Sequence, residues 1–162
     1  MNKKYLTVSP SQTKEIARKL AKRFLDRLPE KQSFILGLKG DLGGGKTTFL
    51  QGFAEGLGIK EKITSPTFVI ARRFGFPSSG KEGIEFRNFY HFDCYRIRNP
   101  KEILSLDFVK IISDPRNIVA IEWPERIKKL LPKGISLIGF KFIDKRTRKI
   151  MIRLKDARQN SV

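Results

Sequence analysis

The segment that most constrains the fold is the glycine-rich run Gly40-Asp41-Leu42-Gly43-Gly44-Gly45-Lys46-Thr47-Thr48. It matches the pattern G-x-x-x-x-G-K-[ST], in which a glycine loop cradles phosphate groups. The glycines let successive backbone N–H groups converge on one anion, and the following helix adds its positive N-terminal dipole. We therefore predict that residues 41–48 bind the phosphates of a nucleoside triphosphate. Lys46 would reach the β- and γ-phosphates, and the Thr47 hydroxyl would ligate Mg²⁺.

The residues on either side of this run supply the strand and the helix that the motif requires. Phe34–Leu38 is a short apolar run, as expected of a buried parallel strand. Thr48–Leu57 repeats apolar residues at helical spacing, and Gly58 stands where a helix commonly ends. A plain strand–turn–helix corner is the less favoured interpretation.

The remaining elements alternate between helices and strands. Pro10 opens an amphipathic helix that Ser9 caps and that continues through Leu28 to Pro29. Residues 63–70 form a loop that leads into a strand, residues 75–83 a hairpin loop or insertion, and Asn99 begins another helix. Further strands are predicted at 86–93, 118–122, 135–142 and 149–154, with helical turns at 126–131 and a hairpin turn at 144–148.

This order predicts an α/β fold of the P-loop NTPase type. We expect a sandwich with a mainly parallel sheet, antiparallel additions and a C-terminal hairpin. At 162 residues, the chain suits a single domain over 1–162. It contains no apolar run long enough to span a membrane and no signal-like N-terminus, and Cys94 is its one cysteine. We therefore expect a cytoplasmic protein.

The charge is extreme. Lysine and arginine total 34 against 16 acidic residues, which gives a net charge of +18. Such a charge attracts polyanions, namely RNA, DNA or anionic lipid, but it is also compatible with a host whose proteins are generally lysine-rich. If the charge serves recognition, we expect weak, salt-sensitive binding of nucleic acid without sequence preference.

Two acids and one loop are candidates for the chemistry that phosphoryl transfer needs. Glu122 ends an apolar strand, which is the position of a Walker-B acid that binds Mg²⁺, although it could merely cap the strand. Asp93 ends another strand and could orient the attacking water, or be an ordinary turn aspartate. Ser65, Pro66 and Thr67 form a loop able to sense the γ-phosphate, or a loop without that role. Lys46, Asp93 and Glu122 are the candidate catalytic residues.

Two further side chains stand beside these acids. His91 is the one histidine, and Trp123 follows Glu122 directly. For His91 we favour a packing role over a catalytic one. For Trp123 we favour packing at the core edge over packing against the nucleotide.

Together these segments resemble one family. They are GDLGGGKTTFLQGFAEGLG at 40–58, ITSPTFVI at 63–70, FYHFDCYRI at 89–97 and IEWPERI at 121–127. In this order they resemble the bacterial tRNA threonylcarbamoyladenosine biosynthesis ATPase family, TsaE, formerly YjeE, and the resemblance spans nearly the whole chain. It implies a P-loop α/β fold and slow ATPase activity. It also implies work with two partner subunits, TsaB and TsaD, that build threonylcarbamoyladenosine at position 37 of tRNAs reading codons that begin with A.

The resemblance also implies roles for particular residues. Thr47 and Glu122 would ligate Mg²⁺, Asp93 would be essential for ATP hydrolysis, and Ser65–Thr67 would be a switch-like loop. Thr13 would lie near the adenine, and Lys133 would border the base. Three features depart from the family pattern: Gly44 in place of a usual alanine, a longer stretch at 75–87, and the high charge.

Two other functions stay open on the sequence. A small P-loop kinase would need a lid rich in arginine over an acceptor pocket, and no such lid is evident between the motifs. A basic RNA-binding protein with a vestigial nucleotide site would leave the run Gly40–Thr47 and Glu122 unexplained.

Overall fold

The protein folds around a seven-stranded mixed sheet. The structure is a computed structural model that describes residues 2–25, 33–66, 69–76 and 86–155. Strands run over β1 (Asn2–Thr7), β2 (Phe34–Gly40), β3 (Ala71–Gly75), β4 (Asn88–Asp93), β5 (Asn117–Glu122), β6 (Ser136–Phe142) and β7 (Arg148–Arg153). Helices run over α1 (Pro10–Leu25), α2 (Lys46–Gly56) and α3 (Phe108–Ser113), with two 3₁₀ helices at Pro100–Leu106 and Pro124–Leu130.

The strand order is β1-β7-β6-β2-β5-β4-β3. The four central strands β6, β2, β5 and β4 are parallel, so their carboxyl ends meet at one edge of the sheet. β3 and β7 pair antiparallel with β4 and β6, and β1 pairs antiparallel with β7. The predicted α/β fold with a mainly parallel sheet, antiparallel additions and a terminal hairpin is confirmed.

Helices cover both faces of the central strands. On one face, α1 and α2 bury a core that includes Phe49, Phe53 and Phe89 against the sheet. On the other face, α3 and the two 3₁₀ helices bury Phe92, Phe108 and neighbouring side chains. In the described part of the chain, no helix is both long and apolar enough to cross a bilayer.

The predicted helix after the phosphate loop is confirmed down to its C-terminal cap. Gly58 adopts a left-handed conformation with φ of 84°. The Gly58 N–H donates to Glu55 O, and the Ile59 N–H donates to Ala54 O. These two bonds form a Schellman motif, which satisfies the carbonyl groups at the helix end.

Some other elements differ from the prediction, and two were not predicted. β1 and α3 were not predicted, and the turns predicted at 126–131 belong to the 3₁₀ helix Pro124–Leu130. A capping box at Asn99 opens the other 3₁₀ helix, so the predicted start is correct although the helix is not α-helical. Leu28, Pro29 and most of the predicted loop at 75–83 lie outside the described residues. The antiparallel pairing of β3 with β4 is that of a hairpin.

Candidate functional site

The phosphate loop leaves the carboxyl end of β2 and enters α2 at Lys46. Gly40, Gly43 and Gly45 all have positive φ, which favours glycine at these positions. Gly40 also has no room for a side chain, since a Cβ there would lie 2.3 Å from Phe140 O. The loop is tied to β7 because Arg148 Nε donates a 3.2 Å hydrogen bond to Gly43 O.

Lys46 is buried, and its ammonium group is held within the loop. Nζ donates to Gly40 O at 2.6 Å and to Asp41 O at 2.8 Å. It also lies 4.3 Å from the centre of the Trp123 ring, a cation–π distance. Burial lowers the pKa of the Lys46 ammonium, and the nearby carboxylates, chiefly that of Glu122, oppose that shift.

The pairing of β4 with β5 brings the two candidate acids together. Asp93 is the register partner of Glu122, and both residues are buried at the carboxyl edge of the parallel strands. Glu122 Oε1 accepts a 3.2 Å hydrogen bond from Thr47 Oγ1. The same oxygen lies 3.0 Å from His91 Nε2. Thr47, Glu122 and His91 therefore form one network at the start of α2.

Asp93 is connected to the loop that precedes β3. Its Oδ2 accepts a 2.6 Å hydrogen bond from Ser65 Oγ, and its Oδ1 accepts a 3.0 Å bond from the Tyr95 N–H. The structure thus joins Ser65 to the candidate hydrolytic residue. Pro66 follows Ser65, while Thr67 lies outside the described residues.

The donor set fits a magnesium ion held together with phosphate. Within the described residues, no group of three or more His, Cys, Asp or Glu side chains could hold a metal by itself. Mg²⁺ usually takes only one or two carboxylates from the protein and completes its shell with water and substrate phosphates. The adjacent oxygens of Thr47 and Glu122 offer such a partial shell beside the phosphate loop.

Thr13 lies on α1 and contacts Thr7, the last residue of β1, at the same edge of the sheet as the phosphate loop. Its hydroxyl is buried, shares a 3.0 Å hydrogen bond with the Thr7 hydroxyl, and is 3.4 Å from Ser9 O. Thr7 is the register partner of Arg148, the residue that bonds to the loop. This placement is compatible with the predicted position near the adenine, which stays a prediction.

Lys133 lies elsewhere. It is exposed and precedes β6, whose first residue, Ser136, pairs with Leu36 in the middle of β2. Because β6 runs parallel to β2, Lys133 lies toward the amino ends of these strands, away from the phosphate loop. The geometry gives the predicted contact of Lys133 with the base no support.

Three residues contribute more to the site than their positions in the sequence indicate. His91 is buried, as the packing interpretation expects, but it also contacts Glu122. Its alternation with Asp93 along β4 is the signal that places both on one face of the sheet. Trp123 contacts the Lys46 ammonium rather than packing only at the core edge. Arg148 was not singled out, because nothing in its local sequence links it to the loop.

A glycine loop between a buried parallel strand and a helix, with an acid at the end of the neighbouring strand, defines the P-loop nucleotide-binding α/β proteins. Within that class, one family matches this sequence. The profile of the family described as "Threonylcarbamoyl adenosine biosynthesis protein TsaE" matches residues 7–152. The chain belongs to the TsaE family, and its role is in the biosynthesis of threonylcarbamoyladenosine.

Individual relatives agree with this assignment. The tRNA threonylcarbamoyladenosine biosynthesis protein TsaE of Bacillus subtilis is 39% identical over 130 residues, which are 80% of this chain and 72% of the relative. The protein of the same name from Borreliella burgdorferi is 39% identical over 124 residues, 76% of this chain and 82% of the relative. A crystal structure of Bacillus subtilis YdiB superposes with a TM-score of 0.67 at 30% identity, and covers 98% of this chain and 88% of that one.

Proposed function

We propose that this protein is a Mg²⁺-dependent ATPase that serves as an accessory subunit in the threonylcarbamoylation of adenosine 37 of tRNA. The single observation that carries the proposal is the network in which Glu122 accepts from Thr47 beside the buried Lys46. A vestigial nucleotide site would not need a buried acid, a hydroxyl and an ammonium group beside the same loop.

ATP binding would depend on the loop and on Lys46. The ammonium group now donates to two loop carbonyls, and charge-assisted bonds to phosphate oxygens would be stronger than these. Thr47 and Glu122 would hold Mg²⁺, which would offset charge on the β- and γ-phosphates when bound. The N–H groups at the start of α2 would add their dipole to the same anion.

Hydrolysis would depend on Asp93. Its carboxylate lies at the carboxyl edge of the parallel strands beside Glu122, where Ser65 and the Tyr95 N–H each donate to it. As a hydrogen-bond acceptor next to the phosphate loop, Asp93 would orient the attacking water toward the γ-phosphorus. Because Ser65 bonds directly to Asp93, a movement of the Ser65 loop would alter this geometry, which fits a switch-like role.

The activity would serve a complex. We propose that TsaB and TsaD are the partners, that hydrolysis by the isolated chain is slow, and that it changes when the pair is added. The chain would not itself transfer the threonylcarbamoyl group. Family membership argues against both the small-kinase and the vestigial-site alternatives.

Three variants and one matched control test this proposal. Lys46→Ala should abolish detectable ATP binding by calorimetry, because the loop glycines cannot replace its charge. Glu122→Gln and Asp93→Asn should lower phosphate release about a hundredfold or more while the proteins stay folded, since each removes a charge that positions a reacting group. Glu125→Gln is the control, because it neutralises an exposed acid three positions from Glu122.

The assays are run with and without the TsaB–TsaD pair, and modification of adenosine 37 is measured in the reconstituted mixture. Wild-type phosphate release in both acid variants would refute their roles. A chain that binds ATP but supports no modification would refute the accessory function while leaving the nucleotide site intact.

A further inference from the structure

One half of the sheet has a face that no described helix covers. On the side of α3 and the 3₁₀ helices, coverage ends near Pro124, whose Cγ lies 3.0 Å from the Cβ position of Gly37. Beyond it, no helix of the described residues lies on the same side of β6, β7 and β1, and Leu6 and Met151 are 68% and 38% exposed there. We call this region the open sheet face; its positions are Asn2, Lys4, Leu6, Lys39, Leu137, Gly139, Lys141, Lys149, Met151 and Arg153.

The strand register determines which side chains share this face. Leu6 pairs with Lys149 and Lys149 with Lys141, while Lys4 pairs with Met151 and Met151 with Gly139. Gly139 pairs in turn with Lys39 of β2. Arg153 stands two residues from Met151 on β7 and therefore points to the same side. Because directly paired residues also share a side of the sheet, five cations project from one surface: Lys4, Lys39, Lys141, Lys149 and Arg153. Neighbouring positions lie about 5 Å apart across strands and about 7 Å apart along them.

Within the described part of the chain, no acid neutralises these cations. None of the positions on the open sheet face carries an acid, and none of its five cations forms an ion pair within the described residues. Lys141 even stands directly opposite Lys149, an arrangement of like charges that destabilises a strand pair. Protein surfaces that serve only solubility mix both signs.

Protection of the sheet edge does not explain the pattern. Lysines on an edge strand discourage aggregation, and that account suits Lys4 on β1. Lys39 and Lys141 lie on the interior strands β2 and β6, where there is no edge to protect. The charge therefore belongs to the face as a whole, and it extends to the residue immediately before the phosphate loop.

We propose that the open sheet face binds the phosphate backbone of RNA, and that tRNA is its occupant. The choice of tRNA rests on the proposed function, whereas the preference for a polyanion rests on the charge of the face. Lysines bind phosphate as point charges, without the paired geometry that reads bases. Met151 lies over Gly139, its Cε 3.0 Å from that residue's Cβ position, so an apolar side chain fills the space between the cations.

Two variants with equal loss of charge test the location. The face variant combines Lys4→Gln, Lys141→Gln, Lys149→Gln and Arg153→Gln. The control variant combines Lys22→Gln, Lys60→Gln, Lys62→Gln and Lys101→Gln, all exposed positions off this face. Binding of a fluorescein-labelled, unmodified tRNA transcript is followed by anisotropy between 50 and 200 mM KCl. Calorimetry with ATP and the thermal midpoint report whether each variant retains its nucleotide site and fold.

The face variant should lose at least about tenfold in tRNA affinity at 50 mM KCl, and its salt slope should fall by roughly one for each lost phosphate contact. The control variant should change much less, and both should bind ATP as the wild type does. Equal losses in the two variants, or no tRNA binding by the wild type at 50 mM KCl, would overturn the proposal. So would a face variant that keeps tRNA but loses the TsaB–TsaD pair or anionic vesicles. Failure of the wild type to bind ATP would instead count against the proposed function and leave the RNA result standing.

Discussion

His91 illustrates how a single buried side chain can fix the position of a candidate metal ligand. Its Nε2 lies 3.0 Å from Glu122 Oε1, and its Nδ1 has no hydrogen-bond partner in the described structure. A carboxylate only accepts hydrogen bonds, so Nε2 must carry the proton in this contact. The imidazole thus acts as a donor that holds Glu122 toward Thr47, in the manner of the outer-shell groups that orient metal ligands.

Two amide substitutions at His91 separate this role from packing. In His91→Gln the amide N–H₂ can occupy the place of Nε2, whereas in His91→Asn it falls near Nδ1 and leaves Glu122 unsupported. We expect the Gln variant to keep Mg²⁺-dependent ATP binding. The Asn variant should lose about 10- to 100-fold in Mg²⁺ affinity, as is typical for loss of an outer-shell partner.

The measurement is a Mg²⁺ titration of ATP binding by calorimetry, with thermal midpoints recorded for both variants. Because each substitution removes the ring from the same buried site, a purely structural residue would show parallel losses in midpoint and no difference in Mg²⁺ affinity. That result would assign His91 to packing alone.

At the scale of elements, the packing of α1 on α2 depends on two glycines one helical turn apart. A Cβ at Gly52 would lie 2.4 Å from Lys14 O, and one at Gly56 would lie 2.7 Å from the Ala21 Cβ. The two helices therefore approach through backbone rather than side chains. α2 begins at the phosphate loop, so this contact also positions the Thr47 hydroxyl.

Gly52→Ala should destabilise the protein although alanine is the better helix former. The intrinsic gain is about 1 kcal/mol, while overpacking against a backbone carbonyl typically costs about 1–3 kcal/mol. Urea unfolding of the variant should show a lower midpoint with an unchanged slope. Gly75→Ala is the control, because a Cβ there meets nothing within 4 Å. If both variants unfold at the wild-type midpoint, the close approach of the helices is not a constraint.

The site was predictable where it depends on local pattern and not where it depends on register. Lys46 and Thr47 follow from a motif, and Asp93 and Glu122 follow from their places at the ends of apolar strands. The contact of Arg148 with Gly43 spans 105 positions, so no local pattern could indicate it. It needs the exact pairing of β6 with β7.

β1 and α3 were not predicted because neither has a local pattern that indicates its structure. β1 is short and mostly exposed, with lysines at two of its six positions, so it lacks the apolar alternation that signals a strand. α3 has only six residues, which is too short for a helical period to show.

At the scale of the whole molecule, a net charge of +18 must oppose folding through self-repulsion. The open sheet face concentrates this repulsion, because Lys141 and Lys149 are directly paired there. Repulsion between exposed charges is screened by salt, as the Debye length falls from about 30 Å at 0.01 M to about 10 Å at 0.1 M. Stability should therefore rise with ionic strength.

We expect the thermal midpoint of the wild type to increase by a few degrees between 10 and 150 mM NaCl. For a chain of this size, about 1 kcal/mol of relieved repulsion corresponds to roughly 2–4 °C. Chloride is the suitable anion, since sulfate or phosphate would also bind at the phosphate loop and stabilise the fold by mass action. Differential scanning calorimetry at several NaCl concentrations measures the effect directly.

The variants designed for tRNA binding indicate where the repulsion lies. Both the face variant and the control variant remove four positive charges, so both should flatten the dependence of the midpoint on NaCl. The face variant should flatten it more and have the higher midpoint at 10 mM NaCl, because it alone removes the directly opposed pair Lys141 and Lys149. Equal midpoints in the two variants would show that the repulsion is spread over the whole surface. A wild-type midpoint that does not change with NaCl would show that the net charge does not limit stability at all.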